Sequence, residues 1–408
     1  MDYIERTLEG PFLEASASFK AVMVVGARQV GKSTMLKHFA QGQNRSYVTM
    51  DDADDRELAR TDPKLFLQAH KPPILIDEIQ KAPELLEPIK VMCDESDERG
   101  RFWLTGSQSR RLRELAGDTL AGRLAILELY SLSQREIAGL PTMGAPDFTL
   151  DALVERQRSF PPNNIIETYQ RIWRGGMPDV QELSERMLAT YFRSYVDTYL
   201  MRDAVDDSGV RDTEGFRRLL RAAAALTGEM LNYTALARAA DVSAPTAKEW
   251  IKVLQSMGIV YLLEPFSNNS LKRLVKTPKL YFCDTGLAAH LSRWPSPEVL
   301  MEGAASGHFY ENHVVMELVR AYSYDGGIAG LSYYRDFDAR EVDLVVEEGA
   351  RLHPLEIKRT ASPKRPTGGF GALLKAEGFQ LANGGVICMA DAPRILDALN
   401  CAIPSNIL

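Results

Sequence analysis

Along the first 140 residues, apolar runs of strand length alternate with amphipathic stretches. Ala21 to Val25, Tyr47 to Met50, Ile74 to Ile76, Phe102 to Leu104 and Ile126 to Leu129 are the apolar runs, and Lys32 to Ala40 carries helical spacing. Strands that are apolar on both faces and separated by helices predict a parallel sheet covered on both sides, hence an α/β fold. From Pro141 to Pro162, Pro, Gly, Thr and Asn interrupt any period, which predicts a lid or linker connection. Residues 165–225 return to helical spacing, broken by a turn at Arg174-Gly175-Gly176-Met177-Pro178. A helix, a break at Asp241-Val242-Ser243, a second helix to about Met257 and two β runs, Val260 to Pro265 and Leu280 to Phe282, then follow in the order of a winged helix. A helix around Phe309 to Arg320 leads into strands at Leu331 to Tyr334, Val342 to Val346 and Leu352 to Ile357, with a further helix and the strand Val386 to Met389 after them. The division expected is a parallel-sheet core over 1–140, a helical lid over 141–225, a winged helix over 226–282 and a C-terminal α/β domain over 283–408.

Composition narrows this picture without redirecting it. With 408 residues, 45% hydrophobic and 25% charged, the chain is neither collagen-like, low-complexity nor wholly disordered. A net charge of −7 means that any nucleic-acid contact would come from local basic patches. The acidic start, Met1-Asp2-Tyr3-Ile4-Glu5, lacks the apolar core of a signal peptide, and no apolar run reaches membrane-spanning length, so a cytoplasmic location is expected. Cys93, Cys283, Cys388 and Cys401 are far apart, form no Cys-x-x-Cys pair and read as buried free thiols.

The chemistry starts after the first apolar run. Gly26-Ala27-Arg28-Gln29-Val30-Gly31-Lys32-Ser33-Thr34 has the spacing G-x-x-x-x-G-K-S between a strand and an amphipathic helix. Glycines let such a loop curl so that its backbone N–H groups, including those from Gln29 to Thr34, face phosphates. The helix N-terminus adds its dipole, Lys32 neutralises β and γ oxygens, and Ser33 ligates Mg²⁺. Ile74-Leu75-Ile76-Asp77-Glu78 is an apolar strand ending in two carboxylates, where Asp77 would hold Mg²⁺ through water and Glu78 would polarise the attacking water. Ser107, or Thr105 beside it, ends another strand where a hydroxyl could sense the γ-phosphate. Arg123 has two readings: a finger reaching a neighbouring subunit's nucleotide, or a surface ion pair. Arg174 and Arg202 are candidates for a sensor arginine only by their position in turns.

These motifs carry a resemblance. Gly26 to Ser33, Asp77-Glu78-Ile79-Gln80-Lys81-Ala82-Pro83, Leu104-Thr105-Gly106-Ser107-Gln108-Ser109, Arg174-Gly175-Gly176-Met177-Pro178 and Arg202-Asp203 resemble a prokaryotic AAA-type ATPase family. Its C-terminal domain is related to restriction-endonuclease-like nucleases. The resemblance spans nearly the whole chain and implies an AAA+ core, a helical and winged-helix middle and a nuclease-like end. An AAA+ core also raises the expectation of a homo-oligomer.

In the middle region, Leu236, Ala237, Val242, Ala247, Trp250, Ile251 and Leu254 read as core, while Thr246, Lys248, Glu249 and Lys252 face outward as on a recognition helix. The loop from Asn268 to Lys279 carries Lys272, Arg273, Lys276 and Lys279 and no acid, so it could lie along DNA phosphates; the bland reading is a packing module with a solvated loop. Further on, Glu341-Val342-Asp343 and Leu355-Glu356-Ile357-Lys358 lie on adjacent strands, and the period of two puts Glu356 and Lys358 on one face. With Asp343 they could hold Mg²⁺ while Lys358 positions water; the bland reading is ordinary Glu/Lys pairing on a sheet. The element order resembles the PD-(D/E)xK nuclease fold, and by that resemblance Glu311, Asp343, Glu356 and Lys358 match its motif. Tyr333-Tyr334-Arg335 beside them could stack on a base, although aromatic strand residues are more often core.

Two functions are therefore expected. The first is Mg²⁺-dependent ATP hydrolysis coupled to DNA processing by a C-terminal nuclease site. The alternative is a nucleotide-dependent switch or scaffold whose nuclease-like domain is inactive.

Overall fold

A computed structural model describes residues 3–107, 110–140, 143–206, 208–267, 276–326, 330–366, 369–374 and 376–408, without the side chains of 110 and 111. The chain forms two compact units. One comprises residues 1–132 with 177–179 and 256–259, and the other 133–176, 180–255 and 260–408.

The first unit is built on five parallel strands: β1 (Ala21–Gly26), β2 (Ser46–Thr49), β3 (Ile74–Asp77), β4 (Phe102–Ser107) and β5 (Leu124–Glu128). Their order is β2-β3-β4-β1-β5. Every residue of β1, β3 and β4 is buried, which is why these strands read as continuous apolar runs rather than as alternations. One apolar face gathers Met23, Val25, Ile74, Ile76, Phe102 and Leu104 with side chains from the helices. In a parallel sheet all strand ends of one kind lie on one edge, so Gly26, Asp77 and Ser107 share it, with Gly26 directly opposite Ser107.

The second unit carries two further sheets. Strands β6 (Glu229–Met230), β7 (Val260–Leu263) and β8 (Lys279–Phe282) form a small antiparallel sheet in the order β6-β8-β7. The helices Tyr233–Ala240 and Ala244–Ser256 precede β7, with Asp241 in the left-handed conformation closing the first of them. The larger sheet contains β9 (Gly330–Arg335), β10 (Glu341–Glu348), β11 (Arg351–Lys358), β12 (Gln380–Leu381), β13 (Gly384–Cys388), β14 (Arg394–Ile395) and β15 (Asn400–Pro404). Its main path is β14-β15-β13-β11-β10-β9, antiparallel from β9 to β11 and parallel across β11, β13 and β15. Beside it runs the helix Ser306–Tyr324, 14 of whose 19 residues are buried, so it is an interior helix rather than a surface one.

In and around the stretch expected as a lid or linker connection, from Pro141 to Pro162, polar side chains reach the end of the second unit. The Gln134 amide donates to Ser405 O at 2.7 Å, Asn163 donates to Ser405 Oγ at 3.1 Å, and Asn406 donates to Pro161 O at 2.6 Å. Arg156 donates to Ile407 O as well. A lack of apolar period hides such contacts, since hydrogen bonds to distant backbone leave no local pattern. The four cysteines are buried and form no disulfide among the described residues. Among the described residues no helix is long and apolar enough to cross a membrane.

Candidate functional site

The loop after β1 turns into the helix Lys32–Ala40 through Gln29 at φ 62° and Gly31 at φ 99°. Gly31 needs its missing side chain, since this left-handed backbone and the Arg6 guanidinium 3.3 Å from where a Cβ would sit both oppose one. A Cβ on Gly26 would fall on the carbonyl oxygen of Leu129. Val30 is buried beneath the loop. Lys32 is 5% exposed, and its Nζ lies inside the loop, donating to Gly26 O at 3.0 Å and Ala27 O at 2.8 Å.

Ser33 Oγ donates to Asp77 Oδ1 at 2.6 Å, and Tyr47 OH donates to Asp77 Oδ2 at 3.1 Å. The buried Thr105 hydroxyl donates to Asp77 Oδ1 and accepts from the backbone N–H of Glu78 at 3.0 Å. One hydroxyl therefore sets the positions of both carboxylate residues. Glu78 itself is held at φ 59°, ψ 45°, an uncommon conformation for a residue with a side chain, and its carboxylate accepts from the Gln80 amide. Ser107, the register partner of Gly26, carries a buried Oγ with no hydrogen-bond partner among the described residues. A polar atom in that state fits a ligand oxygen arriving between the loop and β4. Ser33 and Asp77 bring hydroxyl and carboxylate oxygens together, the donor chemistry that Mg²⁺ takes.

Sequence reasoning missed the cavity that adjoins the loop. Tyr3, Ile4, Arg6, Gly31, Thr34, Leu132, Pro178 and Asp179 line 260 Å³ next to the phosphate-facing turn. Arg6 is 4% exposed and braces the site by donating to Val30 O and Tyr130 O, both at 2.7 Å. Apolar walls beside a phosphate loop suit a nucleoside. The signal available was the turn containing Pro178, which stood out as a motif without an assigned role; nothing local marks Tyr3 or Arg6.

The three candidate arginines are held elsewhere. Arg123 precedes β5, at the sheet edge opposite the loop, and makes a two-pronged surface ion pair with Asp94 at 2.5 and 3.1 Å. This is the surface ion pair of one of its two sequence readings, and Arg123 does not meet the loop of its own sheet. Arg174 donates to Val180 O and Leu183 O, both at 2.7 Å, and closes its own turn. Arg202 is exposed and pairs with Asp206 at 3.2 Å.

At the C-terminal carboxylates Lys279 enters among the side chains expected to form a site. Sequence offers this lysine either to DNA phosphates or to solvent, yet it is 4% exposed and its Nζ lies 2.9 Å from Glu311 Oε1 and 2.7 Å from Glu341 Oε1. Burial alone would push the ammonium down, but Glu311, Asp343 and Glu341 together raise it well above its ordinary value, so it stays charged. Glu311 also accepts from Tyr281 OH at 2.7 Å, and burial raises its carboxyl against the pull of Lys279. Asp343 accepts from the Ile357 N–H at 2.8 Å and lies 3.5 Å from Lys358 Nζ. Glu356 sits half-buried on β11 and Lys358 is exposed. No group of three His, Cys, Asp or Glu able to hold a metal forms among the described residues. Of the three carboxylates expected to hold a metal, Glu311 pairs with Lys279 and Asp343 lies beside Lys358. Tyr333 and Tyr334 are core, as aromatic strand residues usually are.

Of the basic loop, Lys272 and Arg273 lie outside the described residues, Lys276 is exposed and Lys279 is buried as above. On the helix Ala244–Ser256, Ala247, Trp250, Ile251 and Leu254 face the core while Lys248, Glu249 and Lys252 are exposed. Lys252 pairs with Glu249 at 2.8 Å.

Family models match three successive segments: an AAA domain over residues 18–138, a domain of unknown function (DUF8612) over 166–298, and another (DUF4143) over 306–408. Uncharacterized proteins of Mycobacterium bovis and Mycobacterium tuberculosis are each 30% identical over 346 residues, or 84% of this chain and 71% of theirs. One of Haemophilus influenzae is 21% identical over 81% of this chain and 80% of its own. Among solved structures, the Walker-type ATPase of Pyrococcus abyssi aligns at TM-score 0.43 and 15% identity, over 71% of this chain and 96% of that one. A RuvB protein of Thermotoga maritima aligns at TM-score 0.30 and 18% identity, over 62% and 85%.

Proposed function

The chain belongs to the AAA-domain family that includes the two mycobacterial proteins, a family of P-loop ATPases, and from that premise we propose that it works as a nucleotide-driven switch rather than a nuclease. The observation that carries this reading is Lys279 among Glu311, Glu341 and Asp343, a cation of the chain's own where a nuclease would need a metal.

The nucleoside enters the cavity of Tyr3, Ile4 and Pro178, which places the phosphates on the loop N–H groups. Lys32 exchanges the carbonyls of Gly26 and Ala27 for β and γ oxygens. Ser33 and Asp77 would hold Mg²⁺, which would neutralise phosphate charge. Glu78, fixed through Thr105 and Gln80, accepts the proton of the attacking water, and Ser107 Oγ donates to the γ-phosphate. Positioning and electrostatic stabilisation account for nearly all the catalysis in such a reaction.

Two measurements test the reading. In the first, Lys32→Ala loses nucleotide affinity, whereas Glu78→Gln binds ATP and turns it over roughly 10² to 10⁴ times more slowly; normal turnover by Glu78→Gln removes Glu78 from the mechanism. In the second, labelled single-stranded, duplex and branched DNA is incubated with Mg²⁺ or Mn²⁺, with and without ATP. No cleavage is expected, and cutting that disappears in Asp343→Ala would restore the nuclease.

A second reading, DNA engagement without cleavage, is favoured by the exposed Lys248, Lys252 and Lys276 in a winged-helix-like order of elements. It predicts duplex binding that weakens with salt, and with charge reversal at Lys248 and Lys276.

A further inference from the structure

A second cavity, of 290 Å³, opens within the second unit between the helices Glu185–Tyr195, Thr213–Ala225 and Thr285–Leu291. Four guanidinium-bearing residues line it, Arg193, Arg217, Arg221 and Arg293, against a single carboxylate, Asp197. Arg217 is paired with Asp197 and lies 3.7 Å from Glu214. Arg193, Arg221 and Arg293 are exposed and have no ion-pair partner among the described residues. Three uncompensated cations around one opening, in a chain whose net charge is −7, form a local positive field that like-charge repulsion disfavours unless an anion is taken up.

The cavity is also shaped for more than an inorganic ion. Phe192, Val196 and Leu287 give it an apolar floor. The His290 ring stacks on Phe192 with centroids 4.6 Å apart and leans on Trp173 at 5.1 Å. His290 Nε2 is buried without a hydrogen-bond partner among the described residues, and burial lowers its pKa to about 4, so at neutral pH the ring is uncharged. Two backbone features sit at the rim. The helix widens into a π turn over Val196–Leu200, a form concentrated at functional sites, and Arg293 is held at φ 62°, a left-handed conformation that costs energy for a residue with a side chain.

We propose that this cavity is a second ligand site, distinct from the phosphate loop, that takes a nucleoside mono- or diphosphate: phosphate on the forks of Arg193, Arg221 and Arg293, and the base against Phe192 and His290. Guanidinium forks match phosphate oxygens two at a time, and an aromatic floor selects a planar base over a bare anion. The volume is that of a small-ligand pocket. A regulatory nucleotide bound here would report to the segment matched as DUF8612.

The test uses the full chain carrying Lys32→Ala, so that the phosphate loop is silent, and titrates AMP, ADP, GMP, GDP and inorganic pyrophosphate by calorimetry. At least one nucleotide is expected to bind in the micromolar range, at least tenfold tighter than pyrophosphate. Arg221→Ala with Arg293→Ala is expected to weaken it tenfold or more, and Arg221→Lys less, with thermal unfolding unchanged because both residues are exposed and unpaired. The proposal is overturned if no nucleotide binds, or if binding is indifferent to the arginine substitutions. It is also overturned if those substitutions abolish binding of a single-stranded 20-mer while no mononucleotide binds, which would give the cleft to nucleic acid.

Discussion

Thr105 shows how much a single hydroxyl can settle. It is fully buried, bonds Asp77 on one side and the Glu78 N–H on the other, and so fixes the positions of both carboxylate residues. Thr105→Val keeps the volume and removes both bonds. ATP turnover is expected to fall tenfold or more at nearly unchanged nucleotide affinity, with recovery in Thr105→Ser, and steady-state kinetics beside equilibrium binding would separate the two effects. Lys279 makes the complementary case for charge. Removing it as Lys279→Met leaves the half-buried Glu311 without its cation and Glu341 with Arg335 alone, and the loss of a buried partner costs about 3–5 kcal/mol. Urea unfolding should show that loss, and adding Glu311→Leu should restore part of it.

At the scale of elements, the parallel strands of the C-terminal sheet approach closely because glycine allows them to. A Cβ on Gly385 would fall on the carbonyl oxygen of Cys401, and one on Gly384 on that of Pro354. Gly385→Ala therefore forces β13 away from β11 or β15 and is expected to destabilise the protein by about 3 kcal/mol or more, read as a lowered urea midpoint. The same argument applies at the end of β1, where Gly26 passes the Leu129 carbonyl. In both places the glycine serves packing between strands as much as the turn that follows.

For the molecule as a whole, stability depends on histidines that fold neutral. His313, inside the helix Ser306–Tyr324, has its pKa lowered to about 3, first by burial and then by Arg320 and Arg171. The unfolded chain then binds more protons than the folded one between pH 6.5 and 3. The contribution of His313 is thus complete above pH 6.5 and is lost as the pH falls through that window. Glu317, raised by burial to about 7, acts with the opposite sign between pH 4.5 and 7, so the two must be separated by substitution. Comparing unfolding free energies of the wild type and His313→Gln, the wild type should lose about 2 kcal/mol relative to the variant between pH 7 and pH 5.

Sequence alone determined the strands of the ATPase core, the loop from Gly26 to Thr34, the carboxylates after β3 and the helix and strand order of the C-terminal domain. These follow from local rules: apolar runs for buried strands, glycine spacing for a phosphate loop, a period of two for faces. The bounds agree closely, as with β10, expected over Val342 to Val346 and formed over Glu341–Glu348. What only tertiary structure decided is which distant groups meet. Arg6 reaches Val30 and Tyr130, Pro178 joins the cavity beside the loop, and Arg123 turns to Asp94. The same holds for Lys279, which sequence reads as one more cation in a basic loop; its charge is settled by β8 carrying it between Glu311 and Glu341, residues 32 and 62 positions away. A side chain's role in such cases depends on desolvation and on the opposite charge it meets, and neither is a property of its neighbours in the chain.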